Sequence, residues 1–262
     1  MNRGLSTAQN HAVSEQLLAK ALCGSGALAL RQNDFARARV RFGQCLTLWQ
    51  QLNDVSNVGL AQFYLGALDL LSGNLEGAAS HYEGALDLLR QAGDKWEIGS
   101  VLGNMGFASL FRGDLPRAQV QLHDGFTLLQ QVGEQVFSGV ILFGIAYIQF
   151  LQGEGGRARI DMQEGLRLVN EMGEKPFFVY GMIMLANVLV AQEPTRAVRL
   201  FGAAMKLSAL FGAPLPPLVQ TMADQIVDTA SAQIDPSTFS ASREEGHAMT
   251  LEQAVAFALE VK

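Results

Sequence analysis

The 262-residue sequence is poor in cysteine, in proline and in clustered positive charge. Its two cysteines, Cys23 and Cys45, are too few for a disulfide framework, so we interpret them as buried thiols rather than a redox pair. A reducing cytoplasm is therefore the expected location. Lys and Arg number 19 against 25 Asp and Glu, which gives a net charge of −6. Because phosphate affinity needs clustered basic residues, we expect no direct binding to nucleic acids.

Long apolar runs and catalytic motifs are also missing. The most apolar stretch, residues 136–151, is interrupted by glycine and polar residues, so no membrane span or membrane association is expected. The N-terminus lacks the apolar segment of a secretory signal. The four histidines lie far apart, and neither a phosphate-binding G-x-x-x-x-G-K-[ST] loop nor a G-x-S-x-G elbow occurs. We therefore expect no enzyme, no metal and no cofactor.

What the sequence does contain is an internal repeat with a period of about 40 residues, the mark of a repeat architecture. Alanine recurs in step, and so do a small residue, a large apolar residue and two turn positions. The alanine column is Ala38, Ala78, Ala118, Ala158 and, one position early, Ala197; the small column is Gly26, Gly66, Gly106, Ala146 and Ala186; the large apolar column is Phe42, Tyr82, Leu122, Met162 and Phe201. Such a period predicts stacked copies of one supersecondary unit.

The turn columns indicate two helices in each repeat. The first column, at Asn33-Asp34 and its equivalents, joins helix A to helix B, and Asp34, Asn74 and Asp114 are well suited to cap helix B. The second column is Asn53, Gly93, Gly133, Gly173 and Gly212, which suit the left-handed residue that ends a helix. Segments of about 17 residues with apolar residues at helical spacing lie between the turns.

The stretch from Gly66 to Leu86 reads G-x-L-x-L-x-x-G-N-x-x-x-A-x-x-x-Y-x-x-A-L and closely resembles the tetratricopeptide (TPR) repeat. The resemblance covers residues 19–212 in five copies, although the helix A tryptophan is missing. The period also exceeds the roughly 34 residues that are usual for this repeat. The resemblance implies an all-α, right-handed α-solenoid of about five helical hairpins. Residues 1–18 form an N-terminal segment and the start of the first helix.

The C-terminal segment, residues 213–262, departs from the repeat. A proline-rich stretch at 213–217 breaks the phase, and three further helices are predicted: Pro217 to Ser231, a second opened by Asp235 and stopped near Gly246, and a third opened by Thr250 with Gln253 completing a capping box. Repeat arrays need a terminal cap to cover their last apolar face, so we assign these helices to a C-terminal cap.

Residues 196–204, 212–217, 245–246 and 249–255 resemble the end of the repeat region in bacterial ATP-dependent regulators of the STAND/LuxR type. This resemblance implies the non-enzymatic sensor or partner-binding region of a bacterial signalling or transcription regulator. The alternative is a free-standing TPR scaffold that mediates protein–protein interaction. An ATPase in the same reading frame would favour the sensor.

The TPR resemblance also implies that helix A lines a concave groove. Transferred by phase, the groove positions are apolar and aromatic, which fits either packing between A helices or a binding groove for a protein or peptide helix, or for a small apolar ligand. We expect at least two of the four aromatic rings to be partly exposed, and the groove to be occupied by a partner, a ligand or the protein's own terminal segment. The candidate groove residues are Phe63, Phe107, Phe143, Tyr147, Ile183 and Asn187.

Overall fold

A computed structural model of the protein describes residues 2–212 and 214–260, with side chains from residue 13 onwards. The described residues form thirteen α-helices and no strand. These are α1 (Asn2–Arg31), α2 (Phe35–Gln51), α3 (Val55–Leu71), α4 (Leu75–Ala92), α5 (Lys95–Phe111), α6 (Leu115–Gln131), α7 (Val136–Leu151), α8 (Gly155–Glu171), α9 (Lys175–Leu189), α10 (Pro194–Leu210), α11 (Pro217–Ser231), α12 (Pro236–Ala248) and α13 (Leu251–Leu259).

The first ten helices form five hairpins, each of an A helix (α1, α3, α5, α7 or α9) and the B helix that follows it. The two helices of a hairpin pack against each other, and each B helix packs against the next A helix. The predicted all-α repeat solenoid is thereby confirmed. α1 is longer than the others because residues 2–18 continue it without a break.

The three predicted C-terminal helices are confirmed, including the N-cap of α12 by Asp235 and the capping box between Thr250 and Gln253. α12 packs on α10, α13 on α8 and α10, and α11 on α9, α10 and α3. Ala213, within the predicted helix-breaking stretch, lies outside the described residues, as do Met1, Val261 and Lys262.

The turn chemistry follows the prediction closely. The carboxylates of Asp34 and Asp114 and the amide oxygen of Asn74 each accept a hydrogen bond from the backbone N–H three residues on. Left-handed backbone occurs at the predicted helix ends, with φ of 55° at Asn53. It also occurs one residue before each of these three N-caps, at Asn33, Gly73 and Gly113. Both turn columns therefore favour glycine or asparagine for one reason, since these residues tolerate positive φ best.

The small residues in the A helices face the large apolar residues of the B helices, as predicted. A β-carbon added to Gly66 would lie 2.6 Å from the Tyr82 ring, and one added to Gly106 would lie 2.5 Å from Leu122. Gly26 stands in the same relation to Phe42. The pairing explains why a residue unfavourable in helix interiors recurs there, because no larger residue leaves room for the facing ring or leucine.

A second pairing joins a buried polar residue of helix A to a polar residue of helix B twelve positions later. The Asp69 carboxylate lies 2.9 Å from His81 Nδ1, Ser109 and Gln121 are hydrogen-bonded at 2.7 Å, and Gln149 donates to Asp161 at 2.7 Å. The pairs recur once in each of these repeats with different chemistry, so the position requires a hydrogen bond but no particular side chains.

The prediction of two buried thiols is wrong. Cys23 of α1 and Cys45 of α2 form a disulfide with their Cα atoms 5.6 Å apart. The reason is a third pairing of columns, in which residues 22 positions apart face each other across a hairpin. A β-carbon on Gly165 would meet the ring of Phe143 at 2.8 Å, and one on Gly125 would meet the backbone of Gly103. The expectation of a cytoplasmic location was based on free thiols and loses that support, because disulfides are rare in the reducing cytosol.

Loss of this disulfide is expected to destabilise the first hairpin. Under oxidising conditions the double variant Cys23→Ala, Cys45→Ala should lose about 3 kcal/mol of unfolding free energy, because a bond across 22 residues restricts the unfolded chain. Urea unfolding with and without dithiothreitol measures this loss of unfolding free energy. The reductant should lower the stability of the wild type and leave the variant unchanged. Alkylation of two free thiols in the oxidised wild type would contradict the assignment.

No helix in the described ranges has both the length and the apolar character needed to cross a membrane.

Candidate functional site

The A helices build one continuous inner face. Successive A helices contact each other directly, α3 with α5, α5 with α7 and α7 with α9, in addition to their contacts with B helices. Residues one period apart therefore lie side by side on this face, as the repeat requires. The inner face is apolar, and it includes the aromatic positions expected from the TPR resemblance.

Helix α11 lies across the inner face, where it contacts α3 and α9. The Asn187 side chain holds it there: its Nδ2 donates to the carbonyl oxygen of Met222 at 3.3 Å, and to Gln225 at 3.5 Å. The Tyr147 hydroxyl in turn donates to Asn187 Oδ1 at 3.2 Å. The protein's own C-terminal region therefore occupies part of the predicted groove, which is one of the three occupants expected.

Two polar contacts close the remaining gap between the first repeat and the C-terminal half. Asn33 Nδ2 donates to the carbonyl oxygen of Pro214 at 2.6 Å, and the guanidinium of Arg31 lies 4.0 Å from the Glu174 carboxylate. The first hairpin thus meets both the start of α9 and the segment that leads into α11. The inner face curves round until its two ends touch.

The inner face and α11 line a central cavity of about 280 Å³ that is partly open to solvent. Its wall is almost entirely apolar, with contributions from five A helices and from α11. The lining residues are Leu30, Arg31, Asn33, Phe63, Tyr64, Ala67, Leu70, Leu71, Asn104, Phe107, Phe111, Phe137, Val140, Phe143, Glu174, Pro176, Phe177, Tyr180, Met184, Leu218, Val219 and Met222.

The six predicted groove residues fall into three groups. Phe63, Phe107 and Phe143 line the cavity, Tyr147 and Asn187 hold α11, and Ile183 is fully buried. The expectation that at least two of the four rings are partly exposed is wrong. Only Tyr147 is half-buried, while the three phenylalanines are at most 9% exposed. The reason is that neighbouring helices of the array enclose the rings: Phe143 fills the space beside Gly165 and Gly181, and Phe107 lies beside Gly144.

A row of aromatic rings lies on the inner face and was not predicted from the sequence. Trp96, Phe137, Phe177 and Tyr180 follow one another with ring centroids 6.1 to 6.3 Å apart, and the last three line the cavity. Phe137 and Phe177 are one period apart, so the repeat spacing could have identified them. Their column lies at the start of helix A, outside the groove positions of the TPR resemblance.

Two phenol groups supply polarity in this apolar wall. Burial raises the pKa of Tyr180 to about 12, although the nearby charge of Arg31 acts in the opposite direction. Burial also raises the pKa of Tyr64, and the negative charge of Glu97 adds to the effect. Both groups are therefore neutral hydroxyls near pH 7. Within the described residues neither hydroxyl makes a hydrogen bond.

Among the residues with described side chains, no three His, Cys, Asp or Glu side chains are grouped closely enough to hold a metal ion. The only buried carboxylate there is Asp69. It lies 2.5 Å from the guanidinium of Arg39 in α2 and 3.2 Å from Asn74, so it contributes to packing within the second hairpin and between the first two hairpins.

Comparison with known proteins identifies a structural neighbour and no sequence relative. The crystal structure of BtubC (BKLC) from P. vanneervenii matches with a TM-score of 0.51 and 15% sequence identity, over 95% of this chain and 93% of that chain. At this identity the similarity concerns the helical-repeat fold alone. No protein-family model matches the sequence, and no curated protein matches it significantly.

Proposed function

We propose that the chain is a non-enzymatic binding module of the TPR type, which acts as the sensor region of a bacterial regulator related to the STAND/LuxR proteins. The observation that carries the proposal is the central cavity, since it lies where the TPR resemblance implies a binding groove. Concave and mostly apolar sites with a few polar groups are the usual form of ligand sites.

The position of the cavity also fits a sensor. Its wall combines side chains from five repeats with side chains from α11, so a molecule inside it contacts both ends of the array. A ligand that binds only this closed arrangement stabilises the contacts of Asn33 and Arg31 with the C-terminal half. Binding would thereby be converted into a change in how firmly the array is closed.

The gene neighbourhood shows directly whether the chain is part of such a regulator. We expect an ATPase segment with the G-x-x-x-x-G-K-[ST] motif in the same reading frame, upstream of the repeats. In that joined protein, filling the cavity by Ala67→Phe should abolish the response of ATP hydrolysis to ligand. A reading frame that encodes the repeats without an ATPase would contradict the regulator.

A protein-joining scaffold is the second candidate. It is favoured by exposed apolar residues that recur on the B helices, Val40, Val120 and Ile160, which are 58%, 61% and 63% exposed. These three positions share one column of the repeat. Val120 and Ile160 lie in successive repeats, and exposed apolar residues that lie together mark interaction surfaces more often than isolated ones do.

A further inference from the structure

We infer that the central cavity binds an uncharged, apolar molecule about two aromatic rings in size, which donates one hydrogen bond to Asn104. The inference rests on the proposed binding function and specifies its ligand class. It follows from the volume of the cavity, from the helix that covers it, from the charges in its wall and from the polar atoms that its wall leaves without partners.

The volume of the cavity limits the size of the ligand. The cavity measures about 280 Å³, roughly twice an engineered apolar cavity of ~150 Å³ that binds benzene. A fused two-ring molecule therefore fits, and its flat faces can stack on the rings of Phe107, Phe137 and Phe177. Offset or edge-on contacts of this kind add to the free energy of apolar burial.

The covering helix excludes a peptide helix as occupant. An α-helix with its side chains is about 10–12 Å across, and α11 already takes the place on the inner face that such a helix would need. Val219 and Met222 of α11 are at most 8% exposed and form part of the cavity wall. A partner helix would have to displace α11 and break the hydrogen bonds that Asn187 makes to it.

The scarcity of charged groups in the wall disfavours an ionic ligand. Among the lining residues only Arg31 and Glu174 have a guanidinium, ammonium, imidazole or carboxylate group, and their guanidinium and carboxylate lie 4.0 Å apart. Each therefore has an opposite charge beside it already. An ion moved from water into the rest of the wall would lose its hydration with no compensating partner, which is strongly unfavourable.

The amide of Asn104 requires the ligand to donate a hydrogen bond. Its Nδ2 donates to the backbone oxygen of Ser100 at 2.9 Å, one turn earlier in α5. This fixes the amide so that Oδ1 is the remaining acceptor, and within the described residues no donor reaches it. Because Asn104 lines the cavity, a ligand hydroxyl or N–H can supply that donor.

Three naphthalene derivatives test the inference on the full chain. 2-Naphthol is uncharged and donates a hydrogen bond, 2-methoxynaphthalene is uncharged and cannot donate, and naphthalene-2-sulfonate is an anion of similar size. By titration calorimetry, 2-naphthol should bind about three- to tenfold more tightly than the methoxy compound, the usual net effect of one hydrogen bond. The sulfonate should bind at least tenfold more weakly than 2-naphthol. Equal binding of the sulfonate, or no binding of 2-naphthol, would overturn the inference.

Two variants locate the binding. Ala67→Phe fills the cavity and should abolish 2-naphthol binding, whereas Ala92→Phe, at the exposed end of α4, should not change it. Asn104→Leu should remove the preference for 2-naphthol over 2-methoxynaphthalene without weakening the latter. This second variant keeps the test valid if Ala67→Phe unfolds. Unchanged preference in Asn104→Leu would show that Asn104 does not contact the ligand. The gene-neighbourhood test of the regulator is independent of all three compounds, so either result can fail alone.

Discussion

Replacement of Gly246 by alanine is expected to lower the free energy of unfolding by about 3 kcal/mol or more, at or above the upper end of the usual overpacking penalty. A β-carbon at this position in α12 would lie 1.9 Å from the backbone oxygen of Arg199 and 3.0 Å from the backbone nitrogen of Ala203, both in α10. Backbone atoms cannot rotate away as the end of a side chain can. The two helices would have to separate, and the packing between them would be lost.

A pair of glycine variants controls this experiment. Gly202, in α10, lies on the other side of the same helix crossing, and a β-carbon there would lie 2.3 Å from the backbone oxygen of Arg243. Gly202→Ala should therefore also lower the stability. Gly43→Ala, in α2, places the added carbon with no neighbouring atom within 4 Å, so it should instead stabilise by up to about 1 kcal/mol. Chemical denaturation monitored by circular dichroism compares the three. Similar stabilities for Gly246→Ala and Gly43→Ala would contradict the close crossing of α10 and α12.

The repeated part of the fold could be predicted because its signals are local. Asp34 and Asp114 cap the helices that follow them, and Gly66 packs on Tyr82 of the next helix. Each of these contacts lies within one hairpin, where the spacing in the sequence determines the geometry. Recurrence with the repeat period then identifies the same contact in other copies.

The closure of the array could not be predicted in the same way. The repeat phase shows which side of helix A faces inwards, but it contains no information about a later helix that returns across that side. Asn33 and Pro214 are 181 residues apart and belong to no common column. The phase also does not show how deeply neighbouring helices enclose the phenylalanines of the inner face, which were expected to be partly exposed and are buried.

The disulfide and the buried polar pairs could have been found by aligning helix A against helix B. Cys23 and Cys45 occupy columns that pair in the third and fourth repeats as well. Cys23 and Cys45 stand in the two helices of one hairpin, so the repeat itself indicates that they can approach each other. The count of only two cysteines led to the interpretation as thiols, although one pair suffices when its columns face each other.

Phe143→Ala is expected to have the other large effect, a loss of about 3–5 kcal/mol in unfolding free energy. The ring is 2% exposed and fills the space where β-carbons on Gly165 and Gly181 would stand, at 2.8 and 2.5 Å from its atoms. These glycines leave room for the ring, so no neighbouring side chain can close the space once it is removed. The ring also lines the central cavity, and its loss should enlarge that cavity rather than let the wall collapse.

Phe150→Ala, on the same helix, is the matched control. Its ring is half-buried, so the change removes less apolar contact and should cost about 1–2 kcal/mol. The two variants also separate a packing role from a binding role for Phe143. If the enlarged cavity still binds 2-naphthol while the protein loses stability, the ring serves mainly the core. If Phe143→Ala loses no more unfolding free energy than Phe150→Ala, Gly165 and Gly181 do not enclose the ring. The close packing of α7 on α8 and α9 would then be contradicted.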